Sequence, residues 1–98
     1  MAEIKWSMEA ADCLEQIYDY IACNNLTAAH KVVVGIYEKI QMLSRQPRIG
    51  HRYEPINDRE VREILYGHYR IPYLVISKDQ GEILGVFHGA MDIERHLK

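Results

Sequence analysis

Long apolar runs are missing from this sequence of 98 residues. The most apolar stretches, residues 32–37 and 83–87, fall far short of the roughly 20 residues that a helix needs to cross a bilayer. The first residues lack a basic region followed by an apolar stretch, so we expect no signal peptide. The sequence therefore predicts a cytoplasmic protein that has no membrane segment.

Glycine, proline and cysteine are also scarce. The 6 glycines and 3 prolines exclude a collagen-like or linker composition. On one helix, Cys13 and Cys23 would lie about 15 Å apart, too far for a disulfide, so both are interpreted as free thiols. With 48% hydrophobic and 27% charged residues, the composition is typical of a single globular domain over residues 1–98.

The motifs of common metal-dependent and nucleotide-binding enzymes are absent from the sequence. The 5 histidines and 2 cysteines show no metal-ligand spacing, such as a histidine pair at i and i+4 on a helix. No glycine-rich phosphate loop occurs, and no serine stands in a nucleophile elbow. We therefore expect neither a metal nor a cofactor.

Two helices are predicted in the first half of the chain. Ser7 can cap the first helix, in which apolar residues at positions 14, 17, 18 and 21 form one stripe. The pair Asn24-Asn25 ends it, and a second helix begins near Asn25 or Thr27 and ends before Pro47. Because only a few residues connect them, the two helices should pack as an antiparallel hairpin.

Strands are predicted at residues 4–6, 61–65, 69–77 and 82–88, with a long loop over 47–59 and a last helical turn over 92–97. The order β-α-α-β-β-β predicts an α+β fold. In it, a two-helix antiparallel hairpin packs on one face of a twisted, mainly antiparallel sheet. Pro72 is expected at a sheet edge or a bulge because it lacks an N–H. Whether the first strand lies at the edge or in the centre is left open.

The segment 45–70 contains six arginines and no lysine: Arg45, Arg48, Arg52, Arg59, Arg62 and Arg70. Arg62 and Arg70 flank the predicted turn at Gly67-His68, and His88 ends the last predicted strand. Clustered guanidinium groups can stabilise a phosphate and a histidine can move a proton, which suits RNA cleavage by the ribose 2′-hydroxyl. The structural alternative is that both arginines pair with Glu60, Glu63 or backbone carbonyls, while His88 satisfies a hydrogen bond.

Six segments, in order and at matching spacing, resemble the RelE/ParE superfamily of bacterial toxins from type II toxin–antitoxin operons, also called plasmid stabilisation proteins. They are residues 6–7, 18–21, 43–50, 61–64, 69–73 and 83–90. The resemblance implies a helical hairpin on a twisted antiparallel sheet, in agreement with the predicted element order. It also implies a cognate antitoxin as partner, in an assembly that is either a homodimer or a toxin–antitoxin hetero-oligomer.

The resemblance is nearer to the ParE branch, whose members poison DNA gyrase, than to RelE-like members, which cleave mRNA on the ribosome. Met91 stands where the family commonly has a further arginine, and no tyrosine follows Phe87. The implied function is therefore a ParE-like gyrase inhibitor that is neutralised by its antitoxin and is not an enzyme. The residues expected to contact the target or the antitoxin are Arg48, Arg52, Arg62, Arg70 and His88.

Two alternatives to gyrase inhibition remain open at this point. The first is a metal-independent, ribosome-dependent mRNA endoribonuclease in which Arg62 and Arg70 bind the scissile phosphate and His88 acts as acid or base. The second is a remnant that has lost its toxicity and only binds the antitoxin.

Overall fold

The computed structural model describes residues 2–56 and 58–89. Its elements are β1 (Glu3–Trp6), α1 (Met8–Ala22), α2 (Leu26–Gln41), a 3₁₀ turn (Met42–Ser44), β2 (His51–Arg52), β3 (Val61–Tyr66), β4 (Tyr69–Ser77), β5 (Gln80–Ile83) and β6 (Phe87–His88). Two helices pack against a mixed, mostly antiparallel sheet, so the predicted α+β fold class is confirmed. The predicted helical turn over residues 92–97 and Met91 lie outside the described residues. Within the described part of the chain, neither helix is long and apolar enough to span a membrane.

Side-chain caps fix the start of both helices, close to where the sequence predicts them. The Ser7 hydroxyl accepts a hydrogen bond of 3.0 Å from the Ala10 N–H at the start of α1. The Asn25 side-chain carbonyl accepts one of 2.9 Å from the Ala28 N–H at the start of α2. Each cap satisfies an N–H group that has no partner within its own helix. Helix α2 itself ends at Gln41, earlier than predicted, and the 3₁₀ turn continues the chain toward Pro47.

The sheet has the strand order β1-β5-β4-β3-β2, and β6 also pairs with β4. Strand β1 runs parallel to β5, whereas all the other neighbours are antiparallel. The first strand of the chain therefore lies at an edge of the sheet, which answers the question that the sequence left open. Strand β4 is the centre of the sheet because it pairs with β3 on one side and with β5 and β6 on the other.

Two sequence predictions about the sheet are wrong in detail. The segment 47–59 is not loop throughout, because β2 pairs His51 with Glu63 and Arg52 with Arg62. The strand predicted over 82–88 is interrupted after Ile83, and β6 then pairs with the first residues of β4. Strand β2 forms by pairing with β3. Its own residues show no periodicity from which a strand could be predicted.

Pro72 accounts for the interruption after β5. The Pro72 carbonyl accepts a hydrogen bond of 3.0 Å from the Leu84 N–H, but proline has no N–H to donate in return. The Leu84 carbonyl accepts instead from the Ser7 hydroxyl at 3.4 Å. The expectation that Pro72 lies at a sheet edge or a bulge is therefore wrong. Pro72 lies in the central strand β4, at the point where the ladder between β4 and β5 ends.

The core lies between the helical hairpin and one face of the sheet. Strand β4 contributes Ile71, Tyr73 and Val75, the alternating residues that the sequence places on one face. The full set of buried core residues is Ala10, Ile36, Ile40, Leu43, Ile64, Ile71, Tyr73, Val75, Ile83 and Val86. Successive side chains of β3 and β4 point to opposite faces of the sheet. The position of the core therefore identifies the arginines that lie on the helix-facing side.

Candidate functional site

Arg62 and Arg70 lie on neighbouring strands but on opposite faces of the sheet. Arg62 pairs with Tyr73 across β3 and β4, and Arg70 pairs with Leu65. Residues directly opposite each other share a face, and Tyr73 is part of the core. Arg62 therefore lies on the helix-facing side and Arg70 on the other side, so the structure does not bring together the two arginines of the predicted phosphate site.

A single carboxylate holds Arg62 and Arg48 together. The Glu60 Oε2 accepts hydrogen bonds of 2.8 Å from the Nε of each arginine, and its Oε1 accepts one of 3.1 Å from Arg48 Nη2. Arg62 Nη1 also donates to the Gly50 carbonyl at 2.8 Å. Arg48, Glu60 and Arg62 are called the Glu60 clamp below.

The two guanidinium groups change the titration of the clamp. The hydrogen bond from Arg48 and then that from Arg62 hold the pKa of Glu60 below its ordinary value. Glu60 in turn raises the pKa of Arg48. One carboxylate thus faces two cations, and the clamp keeps a net positive charge.

Arg70 is held by a different carboxylate. Its Nη2 and Nε lie 2.8 and 2.9 Å from Glu63 Oε2 on the same face of the sheet. The sequence analysis raised the alternative that both arginines pair with glutamates or backbone carbonyls. The structure shows these contacts, since each arginine pairs with a glutamate and Arg62 also donates to a backbone carbonyl.

His88 lies at the exposed end of β6, beside the turn between β3 and β4. Its ring centroid is 6.2 Å from that of His68 and 6.1 Å from that of Tyr69, which it meets edge-on. Arg70 and His88 line one open cleft of about 450 Å³, together with Glu63. Two of the three residues of the predicted nuclease site thus share a surface, and the arginine there is already paired.

Arg52, the remaining predicted binding residue, lies on β2 with an exposed side chain, and its Nη2 donates to the Arg59 carbonyl at 3.3 Å. Arg48 is also open to solvent, with 52% of its side chain exposed. Of the five predicted binding residues, Arg48, Arg52 and His88 are therefore the accessible ones. Across residues 2–56 and 58–89, no group of three histidine, cysteine or acidic side chains is placed to hold a metal ion.

An apolar groove, whose lining residues were not predicted from the sequence, runs along the helical hairpin. The Trp6 and Tyr37 rings stack at one side of it, with centroids 6.3 Å apart and an angle of 17° between their planes. The groove has a volume of about 440 Å³ and is lined by Trp6, Ala11, Leu14, Glu15, Tyr18, Val33 and Tyr37. It is called the Trp6 groove below. Tyr37 is 51% exposed although it carries a large aromatic ring, a feature that the structure reveals and the sequence does not.

Comparisons with known proteins match almost the whole chain. The model of the family described as "ParE toxin of type II toxin-antitoxin system, parDE" matches residues 4–93. Nine chains of solved structures match. One of them, described as "Chromosomal ParDE TA system from P. aeruginosa", is 26% identical with a TM-score of 0.72, over 90% of this chain and 96% of that one. The comparison with curated proteins gave no match.

Proposed function

The chain belongs to the ParE toxin family of type II toxin–antitoxin systems, and on that basis we propose that it inhibits DNA gyrase and is neutralised by a cognate antitoxin. The observation that carries the proposal is the family match over residues 4–93, because ParE-like members of the superfamily poison gyrase. The similar structure from P. aeruginosa is that of a ParDE system, which supports an antitoxin partner for this chain.

The arrangement of charges favours a protein target over RNA cleavage. Arg62 and Arg70 lie on opposite faces of the sheet, and His88, which pairs with Tyr69, lies at the other end of the β3–β4 hairpin from Arg62, so the three cannot surround one phosphate. Arg70 is already neutralised by Glu63. The formal net charge of −2 also differs from the basic balance of most nucleic-acid-binding domains.

The Trp6 groove supplies a docking surface for the antitoxin. Grooves of this kind accept the apolar face of an amphipathic helix, and the stacked Trp6 and Tyr37 rings offer a large apolar contact area. Arg48, just before β2, and Arg52, on the edge strand β2, are accessible cations for acidic side chains of the antitoxin or of the gyrase.

Growth after induction tests the toxin–antitoxin assignment. We expect the chain alone to stop growth and co-expression of the protein encoded by the adjacent gene to restore it. A Leu14→Asp variant, which puts a charge in the Trp6 groove, should stay toxic but escape neutralisation, whereas Glu38→Lys on the exposed side of α2 is the matched control. Normal growth with the folded wild-type chain alone would contradict the proposal.

Plasmid supercoiling by purified gyrase tests the target. We expect added chain to inhibit the supercoiling of relaxed plasmid and the antitoxin to relieve the inhibition. Unchanged supercoiling at a molar excess of the chain would remove gyrase as the target while leaving the family membership intact.

A further inference from the structure

Three arginines and one glutamate meet at the β2 edge of the sheet. Arg52 lies directly opposite Arg62 in the register of β2 and β3, so the two side chains share a face. Arg62 and Arg48 both bind Glu60, and Arg52 Nη2 donates to the backbone carbonyl of the residue just before Glu60. Arg52 and the Glu60 clamp together are called the arginine edge below.

The arginine edge carries more positive charge than its own carboxylate balances. Glu60 faces two guanidinium groups, and Arg52 adds a third cation beside them. Within residues 2–56 and 58–89, no ion pair joins Arg52 to a carboxylate. Like charges directly opposite each other on neighbouring strands are destabilising, so the arrangement of Arg52 and Arg62 costs stability unless an anion from outside the chain faces it.

The rest of the segment does not remove this charge. Glu54 and Asp58 are exposed acidic residues between β2 and β3, and Arg45 and Arg59, also exposed, match them in number. Over residues 45–62, five arginines and three acidic residues therefore give a formal charge of +2. The segment is cationic although the whole chain has a formal net charge of −2.

The opposite charge is concentrated on the other side of the molecule. Helix α1 contains four acidic residues and no basic one, and it contacts β1, at the edge of the sheet opposite to β2. A charge distribution of this kind turns the β2 edge toward a polyanion and the acidic helix away from it.

The surroundings of the arginine edge favour phosphate groups over a protein surface as the anion. Among the described residues of segment 45–62, Ile49 is the single large apolar residue that is exposed, whereas a protein interface has an apolar core. Contacts to a nucleic-acid backbone need no such core, because charged and polar groups bind the phosphate oxygens directly. The planar fork of arginine also matches two phosphate oxygens at once.

We propose that the arginine edge binds phosphate groups of the DNA that gyrase holds. This inference rests on the proposed function, since it adds a DNA contact to the complex of the chain with gyrase. Arg48 and Arg52, the accessible members of the edge, each bind phosphate oxygens, while Glu60 and Arg62 keep the guanidinium of Arg48 in place.

This contact does not make the chain a strong DNA-binding protein on its own. The formal net charge of −2 opposes binding to free DNA, and contacts to a few phosphates add little affinity at physiological salt. Once gyrase holds both the chain and the DNA, the same contacts form within one complex and act at a high effective concentration.

The Kd of the full chain for gyrase, measured with and without a bound DNA duplex, tests the proposal. We expect the duplex to lower the Kd of the wild type. Arg52→Gln should raise the Kd for gyrase that holds DNA about fivefold at physiological salt and leave the Kd for gyrase alone unchanged. Loss of one phosphate contact should also reduce the slope of log Kd against log salt concentration by about 1.

Lys31→Gln is the matched control. It removes one positive charge from an exposed position of α2, outside the arginine edge, and should leave both Kd values and the salt slope unchanged. Circular dichroism shows whether each variant keeps its fold.

A second duplex covers the case in which gyrase binds the chain only when DNA is present. It carries neutral methylphosphonates in place of the phosphates on either side of the cleaved bases, and gyrase is first shown to hold it. This duplex should weaken the binding of the wild type more than that of Arg52→Gln, because the variant has already lost one of the contacts.

The outcomes separate this inference from the proposed function. An equal loss of affinity for Arg52→Gln with and without DNA would assign Arg52 to acidic side chains of gyrase and overturn the inference. A wild-type Kd that DNA leaves unchanged, an Arg52→Gln variant that binds gyrase–DNA as tightly as wild type, or equal losses on the neutral duplex would also overturn it. Absence of binding to gyrase in either state would contradict the proposed target as well.

Discussion

The Tyr73 hydroxyl accepts a hydrogen bond of 2.9 Å from the backbone N–H of Gly50. This bond joins the central strand β4 to the chain just before the edge strand β2, across 23 residues of sequence. Tyr73 is 1% exposed, so no solvent replaces the acceptor if the hydroxyl is removed. The contact therefore fixes the segment that carries Arg48 and the strand β2 with Arg52 against the core.

The first prediction is that Tyr73→Phe lowers the free energy of unfolding by about 1–3 kcal/mol, because it leaves the buried Gly50 N–H without a partner. Urea unfolding followed by circular dichroism measures the change. Tyr20→Phe is the matched control, since Tyr20 is 81% exposed, and it should change the stability by less than about 0.5 kcal/mol. Equal stabilities of the two variants would show that the hydrogen bond contributes nothing.

The second prediction concerns alkaline pH. Burial raises the pKa of Tyr73 above its ordinary value, so the folded state favours the neutral phenol. A tyrosine in the unfolded chain ionises near a pKa of about 10. The contribution of the neutral Tyr73 phenol to stability is therefore complete below that pH. It is lost as the pH rises through the pKa of Tyr73 in the folded state.

Unfolding measured from pH 8 to pH 11 tests this expectation. The free energy of unfolding of the wild type should fall relative to that of Tyr73→Phe once the pH passes the unfolded pKa of about 10. Two curves that run parallel over the whole range would contradict it.

The third prediction concerns the Glu60 clamp. Glu60→Gln should lower the free energy of unfolding at neutral pH by about 1 kcal/mol, because charge-assisted bonds to Arg48 and Arg62 are lost from a partly exposed site. The folded pKa of Glu60 is lowered. Its contribution is therefore complete above the unfolded pKa of about 4.3 and is lost as the pH falls through the folded pKa.

The stability difference between wild type and Glu60→Gln should accordingly shrink as the pH is lowered below about 4. Glu38→Gln makes the same change at an exposed position of α2 and should show little effect at either pH. A difference that stays constant down to acidic pH would exclude an ionised, arginine-bound Glu60.

The fourth prediction concerns the turn that sets the register of β3 and β4. Gly67 has a φ of +58°, and a Cβ there would meet nothing within 4 Å. Gly67→Ala should therefore destabilise the chain by about 1–2 kcal/mol through backbone strain alone. Gly67→Asn should cost less, because asparagine tolerates this conformation better. Thermal unfolding of both variants checks the order, and an equal loss in the two would argue against strain as the cause.

The helices and the central hairpin could be predicted from the sequence because their signals are local. Ser7 and Asn25 cap the helices from adjacent positions, and the periodicity of β4 depends only on residues next to one another in the chain. Strand β2 could not be found in this way. It is two residues long, and the residues that pair with it, Arg62 and Glu63, are distant in sequence.

The separation of Arg62 from Arg70 was open to prediction. A two-residue turn at Gly67-His68 places Tyr66 opposite Tyr69, and counting back from that pair puts Arg62 opposite Tyr73. The alternation of β4 already assigns Tyr73 and Arg70 to different faces. The placement of Arg62 and Arg70 on opposite faces follows only when the turn and the alternation are combined. The resemblance to a family does not by itself give this placement.

The grooves lay beyond prediction from the sequence for another reason. The Trp6 groove brings β1, α1 and α2 together, and another groove brings α1 to β4 and β6, beyond the point at Pro72 where the ladder with β5 ends. Such surfaces depend on how elements pack, which local patterns do not specify. The four carboxylates of α1 (Glu9, Asp12, Glu15 and Asp19), by contrast, can be read from the sequence alone.

Accumulation of gyrase–DNA cleavage complexes tests the central claim most directly. Purified chain is incubated with gyrase and supercoiled plasmid, and linear DNA is measured after treatment with detergent and protease. Gyrase poisoning predicts linear DNA that increases with chain concentration and disappears when the antitoxin is added, while mRNA in a translation extract stays intact. Plasmid that remains uncut at a molar excess of the chain, together with cleaved mRNA that depends on Arg70 and His88, would contradict it.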